Sequence, residues 1–461
     1  MSEATAEQSV EWEVKPLADL AEAIQYGYTA KAKSNSDGIR YLRITDIQDD
    51  HVDWDTVPSC DVGDTESEKY LLSAGDLVFA RTGATVGKSF LLRGTVPRAV
   101  FASYLIRVKL RSHIDPRYVA YFFQSPAYWN QIAESSAGIG QPNVNGTKLA
   151  QIRVPVAPQK QQREIVAELE KQFSRLDEAV ANLQRVKANL KRYKASVLKD
   201  AVEGRLVPTE GELARREGRS FETGEQLLQR ILEERRNNWN GRGKFKKPDA
   251  PVTMGLSELP SGWVWASVEQ LADVISGLTK NPSRETLPLK LPYLRVANVY
   301  ANELRLDDMA EIGVADNELQ KLLVLKNDLL VVEGNGSPDQ IGRVAKWDGS
   351  ISPCVHQNHL IKVRAIVAEP GWILNWLISP GGRKQIELVS SSTTGLHTLS
   401  SGKVGRLPIP LPPVAEQKRI VLEIDRRLSL IRGVESEVDA NLKRAQALRQ
   451  STLSSAFQQV P

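Results

Sequence analysis

A chain of 461 residues has room for about two to four domains of roughly 100–200 residues, so a single small module is excluded. With 41% hydrophobic and 25% charged residues, wholesale disorder is excluded too. Sixty Lys and Arg against 56 Asp and Glu leave a formal charge of +4, which permits a polyanionic partner without requiring one. Two cysteines, Cys60 and Cys354, rule out a disulfide framework or a paired-cysteine metal knuckle and fit a reducing compartment.

The acidic start, MSEATAEQSVEWEV, has no apolar run of the signal-peptide kind. The most apolar stretch, Leu322 to Val332, is interrupted by Lys326, Asn327 and Asp328, so the expectation is a cytoplasmic protein with no membrane span. Residues 1–157 carry short apolar runs, such as GDLVFARTG and SYLIRVKL, separated by Gly, Pro and Asn. This pattern predicts strands joined by turns, with a helical signal at Tyr118–Phe123. The proline-rich VPVAP at Val154–Pro158 ends this part.

Residues 158–203 then change period. Leu169, Phe173, Leu176, Val180, Leu183, Leu190 and Val197 follow spacings of three, four or seven, a heptad seam on one long helix. About 40 residues at ~1.5 Å each give a rod of roughly 60 Å, too long for the interior of one domain. Residues 204–262 read as a linker with one amphipathic helix, GEQLLQRILEERRNNW at Gly224–Trp239, and a basic run, NGRGKFKKPDAP. Nucleic-acid contact and a solvated tether are both open for it.

Residues 263–412 repeat the first pattern, with NDLLVVEGNG, HLIKVR and a helical signal at Trp372–Ile378, up to LPIPLPP at Leu407–Pro413. Residues 413–461 repeat the helix, with Ile424, Leu428, Ile431, Val438, Ala445 and Thr452 on its seam. The chain is therefore an internal duplication. YLRITDI at Tyr41–Ile47 returns as YLRVANV at Tyr293–Val299, 252 residues on; PQKQQREIV from Pro158 returns as PVAEQKRIV from Pro413, 255 residues on. Lys187 and Lys194 fall on the first seam, where the second helix has Leu442 and Arg449 in the same places, so a homodimer of the first helix is disfavoured and pairing of the two helices within one chain is preferred; a solvated stripe is the alternative. The expected fold is α/β (α+β): two similar mixed domains and two long antiparallel helices with pseudo-two-fold duplication.

Catalytic motifs are scarce. GATVGKS at Gly83–Ser89 resembles a phosphate loop, but Thr82 stands where the first glycine is required. Cys354, His356 and His359 form C-x-H-x-x-H, yet an extended strand sends the two histidines to opposite faces, and ordinary strand residues are expected rather than a metal site. Neither an Asn-Pro-Pro-aromatic methyltransferase motif nor a repeated acidic cluster is found, so no catalytic and no metal-binding residues are expected.

Polar and basic loops do recur. Arg81, Thr82, Gly83 and Lys88 correspond to Glu333, Gly334, Gly336 and Arg343; Gln141, Asn143 and Lys148 fall where copy two carries His397 and Lys403. Such loops suit phosphate contact by Lys, Ser and Thr and base contact by Arg, Gln and Asn. The expected DNA-contacting set is Lys31, Lys33, Arg81, Thr82, Gly83, Lys88, Gln141, Asn143, Lys148, Lys280, Asn335, Arg343, His397 and Lys403.

The paired boundary motifs, IRVPVAPQKQQREIV at Ile152–Val166 and LPIPLPPVAEQKRIV at Leu407–Val421, together with LKDAVEGRLVP at Leu198–Pro208 and ELPSGWVW at Glu258–Trp265, resemble the specificity subunits of type I restriction–modification systems. That resemblance implies two target recognition domains, each reading one half of a split, asymmetric site in double-stranded DNA. It also implies an antiparallel helix pair that sets the spacer and docks two methyltransferase subunits. S-adenosylmethionine, ATP and Mg would belong to the methyltransferase and to restriction/translocase subunits, with no cofactor on this chain. A fused enzyme with an unrecognised site and a coiled-coil adaptor without a DNA role are the rival readings.

Overall fold

The computed structural model describes residues 12–34, 38–48, 50–81, 85–136, 144–239, 243–335, 340–393 and 396–458. They fall into two compact units, one of residues 1–185 with 438–461, the other of residues 186–437.

In the first unit a four-stranded antiparallel sheet runs in the order Ala21–Tyr26, Leu105–Leu110, Leu77–Ala80, Ser89–Leu91. Alternation along Leu77–Ala80 sends Leu77 and Phe79 into one hydrophobic cluster and Val78 into another, so this strand is buried on both faces. A second sheet sets Ile39–Leu42 between Ser59–Cys60 and Ala99–Phe101, the latter pairing parallel. The helix Pro116–Phe122 starts on Asp115, which accepts from the Arg117 N–H, and has proline at its first position.

The first long helix is Gln159–Val202, 44 residues, and the second is Val414–Phe457, also 44. In the first unit their segments run antiparallel. Phe173 and Asp177 meet Arg449, whose guanidinium lies 4.3 Å from the Phe173 ring centroid and 2.8 Å from Asp177 Oδ1. Earlier residues of the first helix, Ile165 and Leu169, line a groove with later ones of the second, Thr452 and Ala456. Leu453 and Phe457 are buried there, the Phe457 ring 5.2 Å from Tyr118 and 5.5 Å from Phe122.

The second unit repeats this plan. Its four-stranded sheet is Ala272–Ser276, Leu360–Ala365, Leu329–Val332, Val344–Lys346, and Lys290–Leu294 pairs antiparallel with Ala310–Gly313 and parallel with Val355–His356. Val197, Leu198, Ala201 and Val202, at the end of the first long helix, share a cluster with Trp372 and with Ile420, Ile424, Leu428 and Ile431 of the second. Val202 thus stands to copy two as Phe457 stands to copy one.

Individual side chains explain why the boundary motif is repeated. Gln162 is buried, donates to the Ala157 carbonyl at 2.7 Å and accepts from the Asp115 N–H at 2.9 Å; Gln417 does the same with Pro412 and Glu369 at 2.7 and 2.8 Å. One residue earlier, Gln161 Oε1 accepts from Trp12 Nε1 at 2.9 Å and Glu416 Oε1 from Trp263 Nε1 at 3.0 Å. Each amide satisfies backbone groups that would otherwise be buried without partners, locking each mixed domain to its helix. Gly27 and Gly277 are a further matched pair. A Cβ on Gly27 would sit 2.3 Å from the Ala102 carbonyl oxygen, and one on Gly277 2.2 Å from that of His356.

The segment between the copies is more structured than a tether. It contains two helices, Glu210–Glu217 and Gly224–Asn237, each opened by a capping box, Thr209 with Glu212 and Thr223 with Gln226. Leu227, Leu228, Ile231 and Leu232 are buried in the second unit's main cluster, and Glu210 bridges Arg219 and Arg419 at 2.7 and 2.6 Å. The amphipathic helix expected from Gly224 is thus present with its four apolar side chains buried together, and the helix Glu210–Glu217 is added to the one expected in this segment. Among the described residues no helix is long and apolar enough to cross a membrane.

Candidate nucleic-acid interface

The recurring loops converge on one backbone frame in each copy. In copy one the Arg81 N–H donates to the Tyr104 carbonyl at 3.1 Å, and the Arg81 carbonyl accepts from the Val144 N–H at 3.2 Å. In copy two Glu333 bonds to the His359 carbonyl at 2.9 Å and to the Leu399 N–H at 2.7 Å. A five-residue helix follows on each side, Gly146–Ala150 and Ser401–Gly405, capped by Asn145 and Ser400. The caps accept from the N–H of Lys148 at 2.8 Å and of Lys403 at 3.2 Å, so these two lysines occupy the same helical position beside the same frame.

The side chains on that frame differ. The Arg81 guanidinium lies 5.1 Å from the Tyr26 ring centroid, and Tyr26 is fixed because its hydroxyl accepts from the Gly146 N–H at 2.7 Å. In copy two Glu333 Oε2 lies 3.1 Å from His359 Nδ1.

Lys88 and Arg343 hold matching places beyond the hairpin. Lys88 is exposed and lines a cavity of about 700 Å³ with Gln48, Thr85, Gln124 and Trp129. Arg343 lies 5.1 Å from the Tyr300 ring centroid, and Arg305 lies 3.9 Å from the same centroid, so one tyrosine contacts two guanidinium groups. Tyr300 and Arg305 were outside the sequence expectation; the signal for them was their place just after the repeated YLRVANV strand.

The remaining expected residues separate. Lys31 and Lys280 are exposed, a few residues after the matched glycines Gly27 and Gly277. Lys33 bridges to Ser59 through its backbone and its ammonium forms an ion pair with Asp61, a neighbour that neutralises it and weakens its case as a phosphate ligand. The strand pairing sets Asn335 opposite His397. Thr82, Gly83, Gln141 and Asn143 lie outside the described residues.

Two motifs resolve into ordinary structure. After Lys88 the chain enters the strand Ser89–Leu91 instead of a helix, and the Gly87 carbonyl accepts from the Tyr128 hydroxyl at 2.6 Å. Among the described residues no helix N-terminus therefore follows this turn to receive a phosphate. Cys354, His356 and His359 do not converge. The His356 ring is buried with Nδ1 3.0 Å from the Leu360 carbonyl, whereas His359 is exposed beside Glu333. Burial pushes the Cys354 thiol up to about 12, which disfavours the thiolate a metal requires.

A family model described as "Type I restriction modification DNA specificity domain" matches residues 9–191. The chain is 24% identical to the type I restriction enzyme EcoKI specificity subunit of Escherichia coli K12, over 97% of this chain and 88% of that protein. It has the same identity and coverage with the StySPI specificity subunit of Salmonella potsdam. Its fold is similar to a chain solved in work on complex assembly and conformational transition of the type I R-M system, with a TM-score of 0.64 at 18% identity, covering 99% of this chain and all of that one.

Proposed function

We propose that this chain, which belongs to the family of type I restriction–modification DNA specificity subunits, is the non-catalytic component that chooses where its complex acts on double-stranded DNA. Each copy reads one half of a bipartite site. The observation that carries this reading is the pair of equivalent loop frames, at Arg81 and at Glu333, holding unlike side chains. Equal frames with different chemistry are what two readers of different half-sites require, and the target is asymmetric.

Phosphate contacts fall to Lys31, Lys88, Lys148, Lys280, Arg343 and Lys403; Lys33, Thr82, Gly83, Gln141, Asn143, Asn335 and His397 complete the proposed surface, with Lys33 the weakest member because of Asp61. The long helices set the spacer and dock two methyltransferase subunits. S-adenosylmethionine is bound by those subunits, and ATP and Mg by restriction/translocase subunits. Action on chromosomal DNA implies a cytoplasmic location.

The test is an exchange. Replacing residues 263–412 by the matching part of another specificity subunit, and mapping methylation strand by strand in cells carrying the complex, is expected to change one half of the methylated motif and leave the other. Change in both halves contradicts independent readers. Absence of any salt-sensitive DNA affinity in the assembled complex favours an adaptor.

A further inference from the structure

We infer that Glu333 reads an exocyclic amino group, that of cytosine, in the copy-two half-site, and that Arg81 occupies the same reading position for a guanine in the copy-one half-site. The inference rests on the proposed function and goes beyond it by assigning one residue of each copy to one base.

Three observations carry it. The first is equivalence of place: the N–H groups of residues 81 and 333 donate to carbonyls at matching positions, Tyr104 and His359, and their carbonyls accept from the N–H groups of matching residues that lead into the capped short helix, Val144 and Leu399. The frame leaves only the side chain to vary.

The second is orientation. Arg81 is held against the Tyr26 ring, with its Nε buried and without a partner among the described residues. Glu333 engages His359 through Oε2 alone, and its Oε1 has no partner among the described residues. Each group is thus steadied on one side while keeping hydrogen-bonding capacity on the other: donors on the guanidinium, an acceptor on the carboxylate.

The third is charge. A carboxylate beside the exposed imidazole of His359 on a DNA-facing loop is repelled by phosphates, so backbone contact gives it no role there. An acidic side chain does fit the major-groove edge of cytosine, whose N4 amino group donates, as a guanidinium fits the O6 and N7 acceptors of guanine. Inversion from Arg81 to Glu333 at one frame position therefore exchanges the base-edge pattern accepted while leaving the backbone unchanged.

The test uses the assembled methyltransferase complex containing the full chain, with strand-resolved methylation mapping on genomic DNA. Glu333→Ala is expected to relax discrimination at a single C·G position of one half-site by roughly 5- to 150-fold, the range of one good base contact. Arg81→Ala is expected to relax a single G·C position of the other half. Glu333→Gln, nearly isosteric, guards against a folding defect and is expected to retain the other half-site intact. A motif unaltered by Glu333→Ala overturns the assignment, as does relaxation at an A·T position. Loss of all methylation with Glu333→Gln in a complex that still assembles overturns it too, because that outcome marks a structural group. If the unaltered complex methylates no defined motif, the proposed function itself fails, and the base assignments with it.

Discussion

His356 illustrates how much one residue can differ between equivalent strands. It occupies the place of Phe101 in copy one, fully buried, and burial together with the nearby Lys362 ammonium pushes its pKa from 6.5 down to about 4. Between those values the unfolded chain binds a proton that the folded chain refuses, so copy two loses stability as pH falls from 6.5 toward 4 and is insensitive above 6.5. His356→Phe, the copy-one solution, is expected to flatten this dependence. Melting temperatures across pH 4 to 7 check it, and an unchanged slope would show that other groups control acid stability. The two histidines were visible in the sequence as a metal pair to be rejected on strand alternation; they are indeed apart, but because His356 ends one strand and His359 lies in the turn before the next, Leu360–Ala365. The partner of each was not visible: Glu333 lies 26 residues from His359 in the chain and meets it only through the sheet.

At the scale of elements, the ends of the long helices act as plugs. Phe457 fills an aromatic cluster with Tyr118 and Phe122 in the first unit, and Val202 fills the matching place in the second. Phe457→Ala is expected to cost about 3–5 kcal/mol, in the range for truncating a buried aromatic. Thermal unfolding should show the loss in the first unit, with the second unit's transition retained; equal loss in both would mean that the plug is not local. The helices were legible because a heptad seam needs no knowledge of the partner: Leu169, Phe173, Ile424, Leu428, Ile431 and Val438 are all buried. In the central segment the helix from Gly224 was legible from its apolar spacing, whereas the eight-residue helix Glu210–Glu217 is too short to show one. Thr209 with Glu212 and Thr223 with Gln226 are spaced as the box requires, and they mark two helix starts in plain sequence.

For the whole molecule, both 44-residue helices contribute to both units, so the proposed spacer-setting role belongs to helix length. Removing the heptad Ala179–Arg185 together with its counterpart Val434–Ala440 shortens each helix by ~10 Å at 1.5 Å per residue. That is about three base pairs at ~3.4 Å each. The methylated motif is expected to keep both half-sites with a spacer shorter by that amount, and an unchanged spacer would refute the role. The duplication was the most legible feature of all, since matched offsets survive divergence of the loops. What the loops recognise was not legible: the duplication aligns Arg81 with Glu333, but only the folded chain shows that both hold the same backbone frame.

The matched tryptophans have a consequence for chain order. Trp12 and Phe457 both lie against Tyr118, while Trp263 lies against Trp372 in a cluster that includes Val202. At the second of these junctions the backbone runs on from Val202 to Trp263 through the segment between the copies; at the first, Phe457 and Trp12 come from distant parts of the sequence onto the same Tyr118 ring. The helix-end packing at the two junctions is therefore alike although only one of them is spanned by the segment between the copies. A circularly permuted chain, with a linker between the Phe457 and Trp12 sides and the backbone opened in the exposed run 244–254, is expected to keep the aromatic contacts of both clusters, so that the order in which the two copies are synthesised is separable from the structure they form.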